Sequence, residues 1–174
     1  MKLYLLRHAE AVEHGDPRYQ EVERPLTPKG IQRTKLLAHG LRRMEMSFDA
    51  ILSSPLARAR ETAEIVARGL RRQGNKPALT DHLSPSGSME KLVRELNGIR
   101  PVPQSVLLVG HEPYLSGFIS LLCTGGPGLA LAFKKGALCR LDVDLPSCGK
   151  CATLEWLLPP RLFGSKPPKR SSNK

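Results

Sequence analysis

Leu3-Tyr4-Leu5-Leu6-Arg7-His8-Ala9-Glu10 is the stretch on which the fold of this chain turns. An apolar run of strand formers that stops abruptly at a cation, an imidazole and a carboxylate predicts a buried strand delivering Arg7 and His8 to its carboxyl end. In open α/β sheets that edge is where ligands sit. Arg-His alone carries little weight, because loops collect polar residues as a matter of course. The weight comes from what recurs downstream.

Outward from this strand the chain alternates. Ala11 to Arg24 is polar, contains Gly15 and Asp16-Pro17, and reads as a long loop able to fold over the strand end. Thr27 is a helix N-cap and Pro28 a first helical residue, where its missing N–H costs nothing. The helix is expected from Pro28 to about Met44, with Thr34, Leu37, Leu41 and Met44 on one stripe. Phe48 to Ser53 is a second strand. Leu56, Ala59, Ala63, Val66 and Leu70 recur at steps of three and four, which predicts an amphipathic helix from Pro55 to about Arg72 with Arg58 in its first turn. A cation there opposes the helix dipole, so local stability does not account for it.

Gln73 to Pro77 then reads as a turn, Ala78 to His82 as a short strand, and Ser84-Pro85-Ser86-Gly87 as a loop ending in an N-cap near Ser88. Met89, Leu92, Val93 and Leu96 give the next helix its apolar face. Past the break at Pro101 and Pro103, Ser105 to Val109 is a buried strand terminating in Gly110-His111-Glu112-Pro113, and Leu115, Phe118, Ile119 and Leu122 mark another helix. Gly136 to Val143 and Thr153 to Leu158 read as two antiparallel strands at an edge, with Pro146 to Lys150 between them. No internal repeat is visible.

The chain has 174 residues, 40% of them hydrophobic, enough for one sizeable core and too few for two. One domain over residues 1–163 is expected. From Gly164 to Lys174 the sequence holds Lys166, Lys169, Arg170 and Lys174 and no acid, a composition that predicts a disordered basic tail. The net charge of +11 favours anionic ligands, and removing the tail still leaves a strongly basic body. Nucleic acid is disfavoured, because only 5% of residues are aromatic and no binding motif is recognisable. No apolar run approaches the ~20 residues that span a bilayer, and the N-terminal apolar run is too short for a signal peptide. A cytoplasmic monomer without membrane contact is therefore expected. The four cysteines, Cys123, Cys139, Cys148 and Cys151, are expected to be reduced thiols. Cys148-Gly149-Lys150-Cys151 reads as a turn, since a zinc site needs four ligands and the other two cysteines lack paired spacing.

Three strand ends thus offer Arg7-His8, the Ser54 to Thr62 segment with Arg58, and His111. Leu6-Arg7-His8-Ala9-Glu10 resembles the R-H-G signature of the histidine phosphatase superfamily, also called phosphoglycerate-mutase-like. Ser54-Pro55-Leu56-Ala57-Arg58-Ala59-Arg60-Glu61-Thr62-Ala63 resembles its S-x-L-x-R-A-x-x-T-A element, and Val109-Gly110-His111 its late G-H motif. The motifs fall in the family's order, and the resemblance covers roughly Met1 to Leu158. The compact length, the Arg24-Pro25-Leu26-Thr27 step into the first helix and the Leu83 to Gly87 loop are most similar to the SixA-type phosphohistidine phosphatases. The resemblance implies a three-layer α/β/α sandwich with a mostly parallel central sheet and an antiparallel edge. It implies the site at the strands' carboxyl ends, with His8 as nucleophile.

The chemistry can also be argued from the residues. A phosphoryl group in transfer carries charge on three equatorial oxygens and needs fixed positive donors and an in-line nucleophile. Arg7 and Arg58 each offer a planar fork matched to two phosphate oxygens, which Lys could not. His111 supplies a further donor if protonated beside the dianion, and a neutral His8 can attack phosphorus. Water then releases inorganic phosphate from the phosphohistidine enzyme, and the scheme requires neither metal nor cofactor. Arg24 and Glu10 are added as substrate-binding candidates, and His14 because mutase-like relatives carry a phosphate-touching Asn there. His39 and His82 read as ordinary surface or loop residues.

The expected activity is hydrolysis of phosphohistidine on proteins. One alternative is a phosphatase of small phosphorylated metabolites, and another is a non-catalytic adaptor binding phosphorylated or nucleic-acid partners. The presence of Arg7, His8, Arg58 and His111 argues against the adaptor. Mutase-like relatives carry a leaving-group Glu near the place held here by Ser84-Pro85-Ser86, which favours phosphoramidates over alkyl esters, with Glu10, Asp16 and His82 as possible substitute acids.

Overall fold

Leu3, Tyr4, Leu5 and Leu6 are all buried, and successive residues enter cores on opposite sides of one sheet. A strand covered on both faces needs a continuous apolar run, because neither side chain direction meets water. The computed structural model describes residues 1–70 and 76–163. Its elements are β1 (Lys2–Arg7), α1 (Pro28–Arg43), β2 (Ala50–Ser53), α2 (Ala57–Leu70), β3 (Ala78–Leu79), α3 (Met89–Gly98), β4 (Ser105–Gly110), α4 (Tyr114–Thr124), β5 (Leu138–Val143) and β6 (Ala152–Leu158). Short 3-10 turns lie at Glu21–Glu23, Asp81–Leu83 and Pro160–Phe163.

The strands form a six-stranded sheet in the order β3-β2-β4-β1-β5-β6. β1 runs parallel to β4 with Arg7 opposite Gly110, and β2 runs parallel to β4 with Ser53 opposite Val109. Three strands therefore end at one edge, at Arg7, Ser53 and Gly110. On one face Tyr4, Leu6, Leu107 and Val109 pack with Leu37 and Leu41 of α1 and Ala59, Ala63 and Val66 of α2. On the other, Leu3, Leu5, Val106 and Leu108 pack with Leu92, Val93 and Leu96 of α3 and Leu115, Phe118, Ile119 and Leu122 of α4. Each buried leucine contributes roughly 1.5–3 kcal/mol of transfer free energy. This is the three-layer sandwich expected from the sequence.

Several boundaries differ from the sequence expectation. α1 ends at Arg43, and Met44 is 55% exposed and so leaves the buried stripe, which Gly30 joins. The reason is local: Met44 caps the helix through its amide, Glu45 takes a positive φ of 55°, and Met46 N–H returns to the Leu41 carbonyl. Phe48 is buried but lies outside β2; it packs edge-on against Tyr4 with ring centroids 5.1 Å apart. Asp49 instead receives the amides of Gln104 and Ser105 at 2.8 and 2.9 Å and caps the start of β4. Pro55 and Leu56 form the turn into α2 rather than its first residues. Ala78 to His82 is strand only to Leu79, because the Thr80 hydroxyl accepts from His82 N–H and starts a 3-10 turn. β5 and β6 form the antiparallel edge expected, with β5 pairing to both β1 and β6 and β6 outermost, although β5 starts at Leu138 rather than Gly136. The turn expected at Gln73 to Pro77 falls largely, and the basic tail from Gly164 wholly, outside the described residues.

Gly30 marks where α1 presses on the strand end. A Cβ there would sit 2.0 Å from the Glu10 carbonyl oxygen, whose own residue follows directly on Ala9. Glycine to alanine inside a helix normally gains up to ~1 kcal/mol. Gly30→Ala is expected to lose about 1–3 kcal/mol instead, because backbone must move to admit the methyl. Gly98→Ala, with nothing within 4 Å of the new Cβ, should be neutral or slightly stabilising. Urea denaturation of both variants checks the opposite signs.

Candidate active site

His8 and His111 follow the ends of two adjacent parallel strands, and the His8 amide donates to the Gly110 carbonyl at 3.0 Å. That pairing brings the two imidazoles together, with ring centroids 5.1 Å apart and planes inclined at 53°. Both rings are buried. His8 Nδ1 lies 2.8 Å from the Ala9 carbonyl oxygen, an acceptor only, so Nδ1 carries the proton and Nε2 keeps its lone pair. His111 Nε2 lies 2.9 Å from Ser54 Oγ. Burial, reinforced by His111, Arg58 and Arg7, pushes the His8 pKa down to about 3. Burial, reinforced by Arg58 and Arg7, likewise pushes His111 down to about 3.

Two guanidiniums complete the cluster. Arg58 enters from the first turn of α2 and is 4% exposed; its Nη1 donates to the Glu21 carbonyl at 3.0 Å and its Nη2 pairs with Glu21 Oε1 at 3.1 Å. Arg7, the last residue of β1, donates from Nη1 to the Phe133 carbonyl at 2.8 Å. Arg7 Nε, Arg58 Nε and His111 Nδ1 are buried without a hydrogen-bond partner. Buried donors left unpaired cost about 1–3 kcal/mol each. Two such guanidinium donors, with an unpartnered imidazole nitrogen, all within electrostatic reach of His8, mark a place arranged for an acceptor.

Of the residues nominated by sequence, the structure brings Arg7, His8, Arg58 and His111 together and places the others around them. Arg24 reaches the cluster through Glu21, donating from Nε and Nη2 at 2.8 and 2.6 Å. His14 is exposed and pairs with the same carboxylate at 2.7 Å. Glu10 is turned away, toward Lys29 at 3.4 Å and Arg33 at 3.3 Å on α1. Asp16 is held by Arg18, and His39 lies in a groove between α1 and α2 with Lys35, Arg42 and Arg68. His82 sits on the 3-10 turn before Ser84.

Three contributors were given no role of their own by the sequence, although Ser54 and Thr62 lie in the motif around Arg58. Glu21 ties the loop between β1 and α1 over the site, and its pKa falls to about 2 because Arg24, His14 and Arg58 all hold the charged form. Thr62 donates to the Arg58 carbonyl at 2.7 Å and accepts from the Ala9 amide at 3.2 Å, which ties Arg58 to the residue after His8. Ser54 accepts from the Leu56 amide and contacts His111. The four-residue step from Arg58 to Thr62 was a legible signal; nothing local distinguishes Glu21 from its neighbour Glu23. Among the described residues no group of three or more His, Cys, Asp or Glu could hold a metal ion. The Cys148 to Cys151 segment joins β5 to β6, and the cysteines are free thiols.

A family model described as the histidine phosphatase superfamily, branch 1, matches residues 3–84. An uncharacterised protein of Picosynechococcus is 38% identical over 142 residues, 81% of this chain and 84% of the relative. The chain belongs to the histidine phosphatase superfamily. The phosphohistidine phosphatase SixA of Escherichia coli is 27% identical over 162 residues, covering 92% of this chain and 94% of SixA. The structure of a protein histidine phosphatase SixA complexed with tungstate superposes with a TM-score of 0.79 at 24% identity, over 94% of this chain and 99% of that one. That likeness shows the fold: a histidine phosphatase sandwich along nearly the whole described chain. No helix among the described residues is long and apolar enough to cross a membrane.

The depressed histidines have a definite pH signature. Both are neutral in the folded protein near neutrality, whereas the unfolded chain takes up protons near the usual value of about 6.5. Their contribution to stability is therefore complete above about pH 6.5 and is lost as pH falls toward 3. In NMR spectra the His8 and His111 ring resonances should not titrate over roughly pH 5 to 8. The drop in unfolding free energy on acidification below pH ~6.5 should be smaller in His111→Asn than in the parent.

Proposed function

We propose that this chain hydrolyses phosphohistidine on proteins through a phosphorylated His8. The observation that carries the proposal is the unprotonated Nε2 of His8 in a cluster with three buried, unpartnered nitrogens, the donors Arg7 Nε and Arg58 Nε and the ring atom His111 Nδ1. Membership of the histidine phosphatase superfamily and the likeness to SixA support phosphatase activity.

The steps follow from the geometry. A phosphoryl group set against the arginine donors presents phosphorus to His8 Nε2, which forms the N–P bond as the leaving group departs. The Ala9 carbonyl holds the Nδ1 proton and takes up part of the positive charge that builds on the ring. With Ser54 Oγ, which accepts from the Leu56 amide, donating to His111 Nε2, the proton of the neutral His111 ring would sit on Nδ1 and face the anion. His111 acts as a neutral donor, and the two guanidiniums carry the countercharge. Water attack on phosphorus returns His8 and releases inorganic phosphate.

The state of the carboxylates supports the substrate class proposed. Glu10 pairs with Lys29 and Arg33, Asp16 is held near 2 by Arg18, and Glu21 near 2 by Arg24, His14 and Arg58. Asp16 and Glu21, held in the charged form, cannot protonate an alkoxide, and Glu10 is turned toward α1. A phosphohistidine ring can take a proton from solvent on its far nitrogen near neutral pH, since the conjugate acid of imidazole has a pKa of about 6.5, and it then departs as neutral imidazole without help from these carboxylates. Phosphoramidates are therefore favoured over alkyl esters.

Two measurements test this reading. His8→Ala should lower kcat by more than ~1,000-fold, and rapid quench of the parent enzyme should trap an acid-labile, alkali-stable phosphoryl adduct; turnover retained within about tenfold would remove His8 from the reaction. The kcat/KM ratio for phosphoimidazole over an unactivated alkyl phosphate should exceed ~100, whereas a ratio near one would mean that an acid outside these carboxylates serves the leaving group.

A further inference from the structure

The segment Phe133-Lys134-Lys135-Gly136 is stitched to Arg7 and His8 at both ends. Arg7 Nη1 donates to the Phe133 carbonyl at 2.8 Å, and the Gly136 amide lies 3.1 and 3.2 Å from the carbonyls of Arg7 and His8. The Phe133 ring is buried, the Ala137 amide closes the turn onto the Lys134 carbonyl at 2.8 Å, and Gly136 takes a φ of +76° that few other residues adopt. Between these anchors the two lysine side chains are exposed.

Their charges are free while the other charges around the mouth are engaged. Glu21 occupies Arg24, Arg58 and His14; Asp16 occupies Arg18; Glu10 faces Lys29 and Arg33. Among the described residues neither Lys134 nor Lys135 has an ion-pair partner. Lys135 lines a small hollow with Ala9, Glu10, Arg33 and Thr62, immediately beyond His8. Arg33 and Lys135 thus line a hollow that begins at Ala9, the residue after the nucleophile, with Glu10 as its carboxylate, and Lys134 is exposed one residue before Lys135.

We propose that Lys134 and Lys135 select phosphohistidine that lies on an acidic protein surface. The proposal rests on the phosphohistidine reading of the same site and names the surroundings that the phosphorylated side chain must have. Exposed ammonium groups on flexible stems suit carboxylates whose positions vary over a surface, whereas a second phosphate on a small molecule calls for a fixed, bidentate fork. The backbone beneath the lysines is fixed to the nucleophile, so contacts made by their side chains align the phosphoryl group with His8 Nε2.

The test uses two phosphohistidine peptides identical except that one carries Asp and Glu beside the phosphohistidine and the other Asn and Gln. The parent enzyme should favour the acidic peptide by about tenfold in kcat/KM at low salt, chiefly through KM, and less as salt screens exposed charges. The Lys134→Ala/Lys135→Ala variant should bring that preference to within ~2-fold, Lys134→Glu/Lys135→Glu should invert it, and Lys134→Arg/Lys135→Arg should restore it. Both lysines are exposed, so the variants are expected to fold, and circular dichroism checks that. Equal use of the two peptides by the parent enzyme, or a preference untouched in the variants, overturns the proposal. Affinity of the two peptides for His8→Ala protein reads the same preference without turnover. A parent enzyme that hydrolyses neither peptide while His8→Ala still binds the acidic one more tightly would sink the phosphatase reading and leave the lysine assignment standing.

Discussion

The His8 amide bonded to the Gly110 carbonyl carries the β1–β4 pairing one residue beyond the end of β1. Everything at the site depends on that extension. It fixes where the backbone of His8 leaves the sheet and sets His111, the residue after Gly110, alongside it. The sheet interior makes the pairing rigid, since Leu3 to Leu6 and Val106 to Val109 are buried on both faces and cannot slip by one residue without exchanging their two cores. Precision at the strand ends is thus inherited from apolar packing several ångströms away.

Around this fixed pair the fold assembles charge from three directions. Arg7 comes from β1, Arg58 from α2, and Glu21 from the loop that crosses between β1 and α1. Burial, reinforced by the two guanidiniums, keeps the nearby imidazoles neutral, which leaves nitrogen lone pairs in a region of positive potential. Thr62 turns the placement of Arg58 into a backbone matter: its hydroxyl links the Arg58 carbonyl to the Ala9 amide, so α2 cannot shift without moving the residue after His8.

Much of this was legible in the sequence because the signals are periodic or punctuated. The apolar run before Arg7, the three- and four-residue spacing after Leu56 and the Gly110-His111 ending gave the strands, the helix and the meeting of four side chains. The misplaced limits have a common cause: side-chain capping decided them. Asp49 draws the chain out of β2 to serve β4, and Thr80 ends β3, neither of which is expressed in hydrophobic pattern. Glu21 stayed hidden for a different reason. It lies in a polar loop without periodicity, and its partners, Arg24 apart, are separated from it by the folding of the chain rather than by a fixed step. Glu10 misled because adjacency to His8 in sequence is not adjacency in space; the alternation of backbone direction after β1 sends its carboxylate to α1.

Glu21 also bears on how strongly an anion is held at the site. A pocket made only of cations and N–H donors holds a tetrahedral dianion well, and the better it holds one the more slowly it empties. The loop carboxylate already pairs with Arg58 and Arg24, so the chain itself answers part of the positive charge buried there. Arg58 Nε and Arg7 Nε are left as the unpaired guanidinium nitrogens. The loop between β1 and α1 therefore sets how much cationic charge a free anion meets at the strand ends, and it does so from a residue that never leaves the chain.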